Sequence, residues 1–216
     1  MDKTALFSLT YGLYVVGSMD GDRPVGCIIN TCFQVTCEPP TLAISLNKNN
    51  YTLEVIQKTQ QYSLSVVAEN TDPSIIGQFG FYSSRDTDKY SDYGFTENAG
   101  TPLVNGDFCG RLILEAIKFV DCGTHVIVIG QLKDAIAGKG TPMTYSYYHR
   151  VIKGKAPKNA PTYVAEEPKA QEGTKQKFRC NLCGYEAEFE GDIPDDFKCP
   201  ICQAGKNMFS KVGIVV

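Results

Sequence analysis

Apolar residues in the first two thirds of the chain gather in short runs: LYVVGSM (13–19), PVGCIIN (24–30), TLAISL (41–46), YSLSVVA (62–68), GRLILEAIKFV (110–120) and THVIVIGQL (124–132). Each is rich in β-branched, aromatic or leucine residues and is bounded by Gly, Asp, Asn or Pro, the pattern of strands joined by turns. Helical spacing is rare. It occurs in YTLEVIQKT after Asn50, where Leu53 and Ile56 share a face with Val55 beside them, and again around Pro73 to Phe79. The pattern predicts a mainly antiparallel β core with helices laid on it.

From Lys153 to Gln176 the pattern stops. KGKAPKNAPTYVAEEPKAQEGTKQ carries Pro157, Pro161 and Pro168 with scattered charge and almost no aliphatic residues, so it cannot bury a core. Its first half is assigned to the β domain, giving residues 1–165, a linker at 166–176, and a small domain at 177–216. A unit of that size ordinarily needs a metal or disulfides to stay folded.

Composition narrows the function. With 43% hydrophobic and 21% charged residues the chain is an ordinary globular one. A net charge of -3 and a pI near 5.5 supply no basic field for nucleic acid or for polybasic membrane attachment. No apolar stretch reaches membrane-spanning length and the first residues lack an export-type apolar core, so a cytoplasmic protein is expected. Nine cysteines, an odd number with four in two CxxC pairs, point to metal ligation rather than a disulfide framework.

Those pairs are Cys180/Cys183 and Cys199/Cys202, spaced so that two turns each present two thiolates to one tetrahedral ion. Spacing alone suits a structural zinc ribbon. The surrounding RCNLCGYEAEFEGDIPDDFKCPICQAGKNMF, with CxxCGY, PDD, an aromatic, CPxC and a closing Lys-x-x-Phe, resembles rubredoxin. That resemblance implies iron held by four cysteines and one-electron transfer, with zinc as the alternative occupant. Two departures stand out: the stretch between the pairs is shorter than in free-standing rubredoxins, and Gln203 replaces a glycine, which could strain its turn. Tyr185, Phe189, Phe197 and Phe209 are expected to form the small core. The acidic run from Glu186 through Glu188, Glu190, Asp192 and Asp195 to Asp196 is a solvated face or a docking rim for a basic partner.

Neither GxGxxG nor GxxxxGK[ST] occurs, so no Rossmann site or P-loop is signalled. One anion-binding candidate is the helix start after Asn50, with Lys48 nearby, although Asn and Thr there also serve as plain caps. VGCIINTCFQVTCEPPTLAISLNKNNYT followed by SSRDTDKY is similar to the flavin reductase-like family, whose fold is a Greek-key split β-barrel that binds FMN at a homodimer interface. The resemblance implies that Asn30, Thr31, Cys32, Phe33, Gln34, Val35 and Thr36 lie along the isoalloxazine ring. It places Ser45, Asn47, Lys48 and Thr52 near the ribityl phosphate, and makes Ser84, Arg85 and Lys89 further cofactor contacts. In SSRDTDKY, Ser84 stands where flavoredoxin-like members carry glycine, leaving the loop path open, and Tyr90 stands for their Phe. His125 matches a position where a nicotinamide stacks; it is the candidate catalytic residue by orientation, since hydride transfer needs alignment rather than a titrating base. A structural role for it is the alternative, and His149 has no assigned role. Cys27, Cys32, Cys37, Cys109 and Cys122 are expected to be buried thiols, Cys32 beside the flavin.

The order of the two domains resembles the high-molecular-weight rubredoxins. That resemblance implies an NAD(P)H-dependent oxidoreductase in which electrons pass from NADH through FMN to an iron held by four cysteines and on to a flavodiiron protein that reduces nitric oxide or dioxygen. Two other readings stay open: a split barrel with a structural zinc ribbon used for protein binding, and a reductase that releases reduced flavin to a monooxygenase.

Overall fold

The computed structural model describes residues 3–152, 160, 175–189 and 191–215. Seven antiparallel strands form one curled sheet: β1 (Tyr14–Asp20), β2 (Arg23–Ile29), β3 (Cys32–Thr36), β4 (Thr41–Asn47), β5 (Gln61–Val67), β8 (Phe108–Asp121) and β9 (His125–Ala137). Their order is β2-β1-β5-β8-β9-β4-β3, so the two outer strands are not paired with each other and the barrel is split. A separate hairpin, β6 (Phe95–Asn98) and β7 (Thr101–Val104), covers one side. Register shifts at Ile113/Leu114 and Ala116/Lys118 bend the long β8–β9 pair around the core. Val16, Ile44, Leu46, Leu64 and Val128 fill that core with Ile56 of α1 (Tyr51–Thr59). These residues follow the predicted strands and first helix.

α1 starts where its sequence asks. Asn50 accepts from the Thr52 N–H at 3.0 Å, and the helix closes at Gln60 in left-handed geometry. α2 (Pro73–Phe81) begins with Pro inside its first turn and Asp72 accepting from the Ser74 N–H. It buries Ile75, Ile76 and Phe79 against Leu13, Val67, Val104 and Phe108, a second core beneath the hairpin.

The small domain is a three-stranded sheet of order β11-β10-β12, from β10 (Lys175–Cys180), β11 (Glu186–Phe189) and β12 (Phe209–Val215). Phe189 meets Phe197 at 5.0 Å and Phe197 meets Phe209 at 5.5 Å, edge to face, with Phe178 joining the stack at 6.0 Å from Phe189. Tyr185 packs beside them on the cysteines. The expected linker lies outside the described residues apart from Lys175 and Gln176, which already pair in β10. The acidic run divides: Glu186 pairs with Arg179 and Lys177, and Asp192 and Asp195 with Lys206, while Glu190 lies outside the described residues.

One expectation is corrected. Of the five unpaired thiols only Cys27 is buried; Cys32 and Cys109 are partly covered, and Cys37 and Cys122 are exposed. Cys37 falls in the turn joining β3 to β4 and Cys122 in the turn joining β8 to β9, where the backbone meets solvent. No helix among the described residues is long and apolar enough to cross a membrane.

Candidate functional site

Two matching turns build the cysteine quartet. The Cys180 N–H donates to the Tyr185 carbonyl and the Gly184 N–H to the Cys180 carbonyl, both at 2.8 Å; the Cys199 N–H donates to the Ala204 carbonyl at 2.8 Å and the Gln203 N–H to the Cys199 carbonyl at 2.9 Å. The fifth residue of each turn is left-handed, with φ of 76° at Gly184 and 58° at Gln203. Glutamine there costs about 1 kcal/mol relative to glycine, yet the turn keeps its path.

The four Sγ atoms lie within 4.8 Å of one another, with Cys180–Cys202 at 3.5 Å and Cys183–Cys199 at 3.4 Å. An ion about 2.3 Å from each of four sulfurs has sulfur–sulfur edges of about 3.8 Å, so the quartet fits a tetrahedral metal. Backbone N–H groups of Tyr185, of Ile201 and Cys202, and of Ala204 act on the sulfurs of Cys183, Cys199 and Cys202 and favour their charged forms. Hydrogen bonds from the Cys183 and Cys202 thiols are the largest cause holding Cys199 well below the ordinary thiol range. The same shared network pushes Cys183 up.

A cleft of about 240 Å³ opens in the barrel between the ends of β2 and β4, the start of α1 and the end of α2. Asn30, Ser45, Asn47 and Asn50 give it an amide-rich side, and Phe79, Phe81, Tyr82 and Tyr145 an aromatic one. His125, which opens β9 opposite Asn47 and whose Nδ1 lies 2.9 Å from the Thr124 hydroxyl, lines the same cleft. So do Ser84 and Lys89. A wide apolar wall facing several amide donors and acceptors is the chemistry a planar heteroaromatic ligand with a polar edge requires.

Ser84 accepts from the Gly26 N–H at 3.0 Å and donates to the Gly26 carbonyl at 2.8 Å, satisfying the outer edge of β2. It is not among the residues with positive φ, so the loop does not require glycine there. Ser84→Ala is expected to leave the Gly26 N–H unpaired in a buried setting, with the Gly26 carbonyl retaining only Lys89, and to lower stability by about 1–3 kcal/mol, measured by urea unfolding. Lys89 is buried and donates to the Gly26 and Phe79 carbonyls at 2.9 and 3.0 Å; burial pulls its pKa down to about 8.

Other expected site residues sit outside the cleft. β3 carries Cys32, Phe33, Gln34, Val35 and Thr36 on the sheet edge, with Phe33 and Val35 strongly exposed. Thr31 precedes that strand, and its hydroxyl donates to Asn30 at 3.0 Å. Burial pushes the Cys32 thiol up to about 12. Lys48 pairs with Asp121 at 2.6 Å, and Arg85 pairs with Glu54 while stacking on Tyr51 at 4.5 Å. Thr52 is fully buried behind the cleft, its side chain against the Cys27 thiol. The aromatic wall is not visible in the sequence, because Phe79, Phe81 and Tyr82 come from the end of α2 and Tyr145 from a segment far along the chain.

The flavin reductase like domain family matches residues 6–155, and the rubrerythrin, rubredoxin-like domain family matches residues 178–210. A high molecular weight rubredoxin of Moorella thermoacetica is 40% identical, covering 98% of this chain and 100% of that one. A ferric-chelate reductase (NAD(P)H) of Archaeoglobus fulgidus is 35% identical over 76% of this chain and 98% of its own length. Among solved structures, flavin reductase PheA2 in its native state superposes with a TM-score of 0.58 at 20% identity, covering 67% of this chain and 93% of that one.

Proposed function

The chain belongs to the flavin reductase-like family and carries a rubredoxin-like domain at its end, as the high-molecular-weight rubredoxins do, and from this we propose that it oxidises NADH and relays the electrons through FMN and a four-cysteine iron to a flavodiiron-type acceptor protein. Flavin-linked electron transfer is its class of chemistry. The observation that carries the finer reading is the placement of a buried, tetrahedrally disposed cysteine quartet on the same folded body as an amide-and-aromatic cleft.

When bound, a flavin accepts a hydride as two electrons and gives them up singly, while an iron held by four thiolates takes one at a time. The chain's own residues orient and exclude. Asn30, Ser45 and Asn47 would hold the polar edge of the ring, and Phe79, Phe81 and Tyr145 would exclude water from its faces. Lys89, Ser84 and the start of α1 near Asn50 would receive the phosphate, with Arg85 and Lys48 at its rim. Thr52 backs that helix start from inside the core. His125 would orient the nicotinamide at the cleft mouth without moving a proton.

Thr31, Cys32, Phe33, Gln34, Val35 and Thr36 lie on or beside an unpaired edge strand with two exposed apolar side chains, and a second copy pairing there would bring this stretch to a cofactor at the homodimer interface. Sulfur ligands supported by four N–H groups suit iron as the redox ion. The test is metal and flavin analysis of the purified protein followed by anaerobic NADH. Expected are one iron and one FMN per chain and loss of both visible bands. Flavin bleaching with the iron band unchanged would end the relay, and a colourless quartet would favour the zinc-ribbon alternative.

A further inference from the structure

The barrel and the small domain meet at one face, and the contact is tight. A methyl group built on Gly77, in the middle of α2, would lie 1.7 Å from the Ile201 carbonyl oxygen and 2.5 Å from the Cys202 Cα. Backbone therefore rests on backbone, which only glycine permits. One turn further along α2, on the same side, Phe81 packs against the cluster of Cys180, Cys183, Cys199 and Cys202. Tyr82 follows, and its hydroxyl donates to the Cys202 carbonyl at 3.3 Å. Ile152 completes the barrel's side of the contact. Phe81 and Tyr82 also line the cleft, so the same two aromatic residues touch the cleft and the quartet.

In this arrangement all four cysteines are at most 3% exposed and Ile201 is 1% exposed. Within the CPIC turn Cys199, Ile201 and Cys202 are buried while Pro200 is exposed, so the barrel covers the Ile201–Cys202 side of the turn.

We propose that Gly77, Phe81 and Tyr82 form a seat in cis for the Cys199–Cys202 turn, and that this turn must leave the seat before an acceptor protein can contact the quartet from its Ile201–Cys202 side. The small domain is then a carrier with two mutually exclusive positions, receiving and delivering. The second half rests on the relay proposed above; the seat itself does not.

The test uses the full chain with its flavin and iron, in three forms: native, Gly77→Leu and Tyr82→Phe. In a helix with nothing against it, replacing glycine by leucine strengthens the helix. Against a seated carbonyl it forces the turn off. Gly77→Leu is expected to leave the thermal midpoint of the barrel unchanged or higher, while amide exchange across residues 199–205 and removal of iron by a chelator both quicken by about tenfold. Tyr82→Phe, which deletes one hydroxyl and cannot disturb folding broadly, is expected to quicken both by a smaller factor in the same direction. Unchanged exchange and unchanged chelation in both variants would overturn the seat. Reduction of the iron by NADH, recorded in the same samples, separates the two claims: native iron that stays oxidised while the exchange changes appear ends the relay and leaves the seat standing.

Discussion

Cys199→Ser is expected to abolish stoichiometric metal binding and to unfold residues 175–215, while the barrel keeps its fold and its reaction with NADH. The small domain has little else to stand on. Its apolar interior beyond the sulfurs is a stack of phenylalanines from Phe178 to Phe209 with Ile193 and Ile201 buried beside them. Chains of this size rarely reach net stability from such a core alone. A structural ion at a thiolate site contributes about 10–16 kcal/mol of apparent binding free energy, which exceeds the net stability of most domains. Losing one ligand also removes the group to which Cys183 and Cys202 donate and which the Ile201 and Cys202 amides hold in charged form. Metal content, the visible spectrum and amide exchange over 175–215 measure the loss. NADH oxidation with a small dye as acceptor should persist near the native rate, and reduction of a protein acceptor should vanish. Metal retained at one per chain, with 175–215 still protected, would show that three sulfurs suffice. A protein acceptor reduced at the native rate would favour a reductase whose metal domain plays no part.

The strands are legible in the sequence because their apolar runs are short and their boundaries are residues that turn, and the same holds for α1, whose Asn50 cap is local chemistry. The quartet is legible because ligand spacing is a sequence property. β3 does not announce itself as a strand: CFQVT has four exposed residues of five, so no buried face marks it. The hairpin β6–β7 escapes for a related reason, since FTEN and TPLV are each four residues long and one carries Pro102. In the cleft, Asn30, Ser45, Asn47, Ser84, Lys89 and His125 come from segments far apart in the chain and converge, while Lys48 and Arg85 are held by Asp121 and Glu54. No local pattern distinguishes those two outcomes. Gly77 is the clearest limit: a glycine inside a helix records that something approaches closely, and only the folded chain says what.

Lys89→Met is expected to change how both stability and FMN affinity depend on pH. The ammonium is 2% exposed, and its two fixed acceptors are neutral carbonyls of Gly26 and Phe79, so burial lowers its pKa to about 8 against 10.5 in the open chain. Between those values the unfolded chain holds a proton that the folded one has released, and stability from this group rises with pH. The corresponding penalty is about 3 kcal/mol, fully present below pH 8 and relieved as pH approaches 10.5. Buried Cys27 and Tyr90, whose pKa values are raised chiefly by burial, act in the opposite sense above pH 9. The informative quantity is therefore the difference between native and Lys89→Met unfolding free energies, which should move in favour of the native chain from pH 8 to 10.5. An anion in the cleft restores the reason to hold the proton. Binding a phosphate-bearing flavin above pH 8 then takes up a proton, and the Kd for FMN should weaken by up to about tenfold per pH unit. Riboflavin, which lacks the phosphate, should show no such slope, and Lys89→Met should flatten the FMN profile toward that of riboflavin. Fluorescence titration of both flavins from about pH 7 to about pH 10 at fixed ionic strength makes the comparison. Parallel profiles for the two would move the phosphate away from Lys89 and toward the cations at the rim, Lys48 and Arg85.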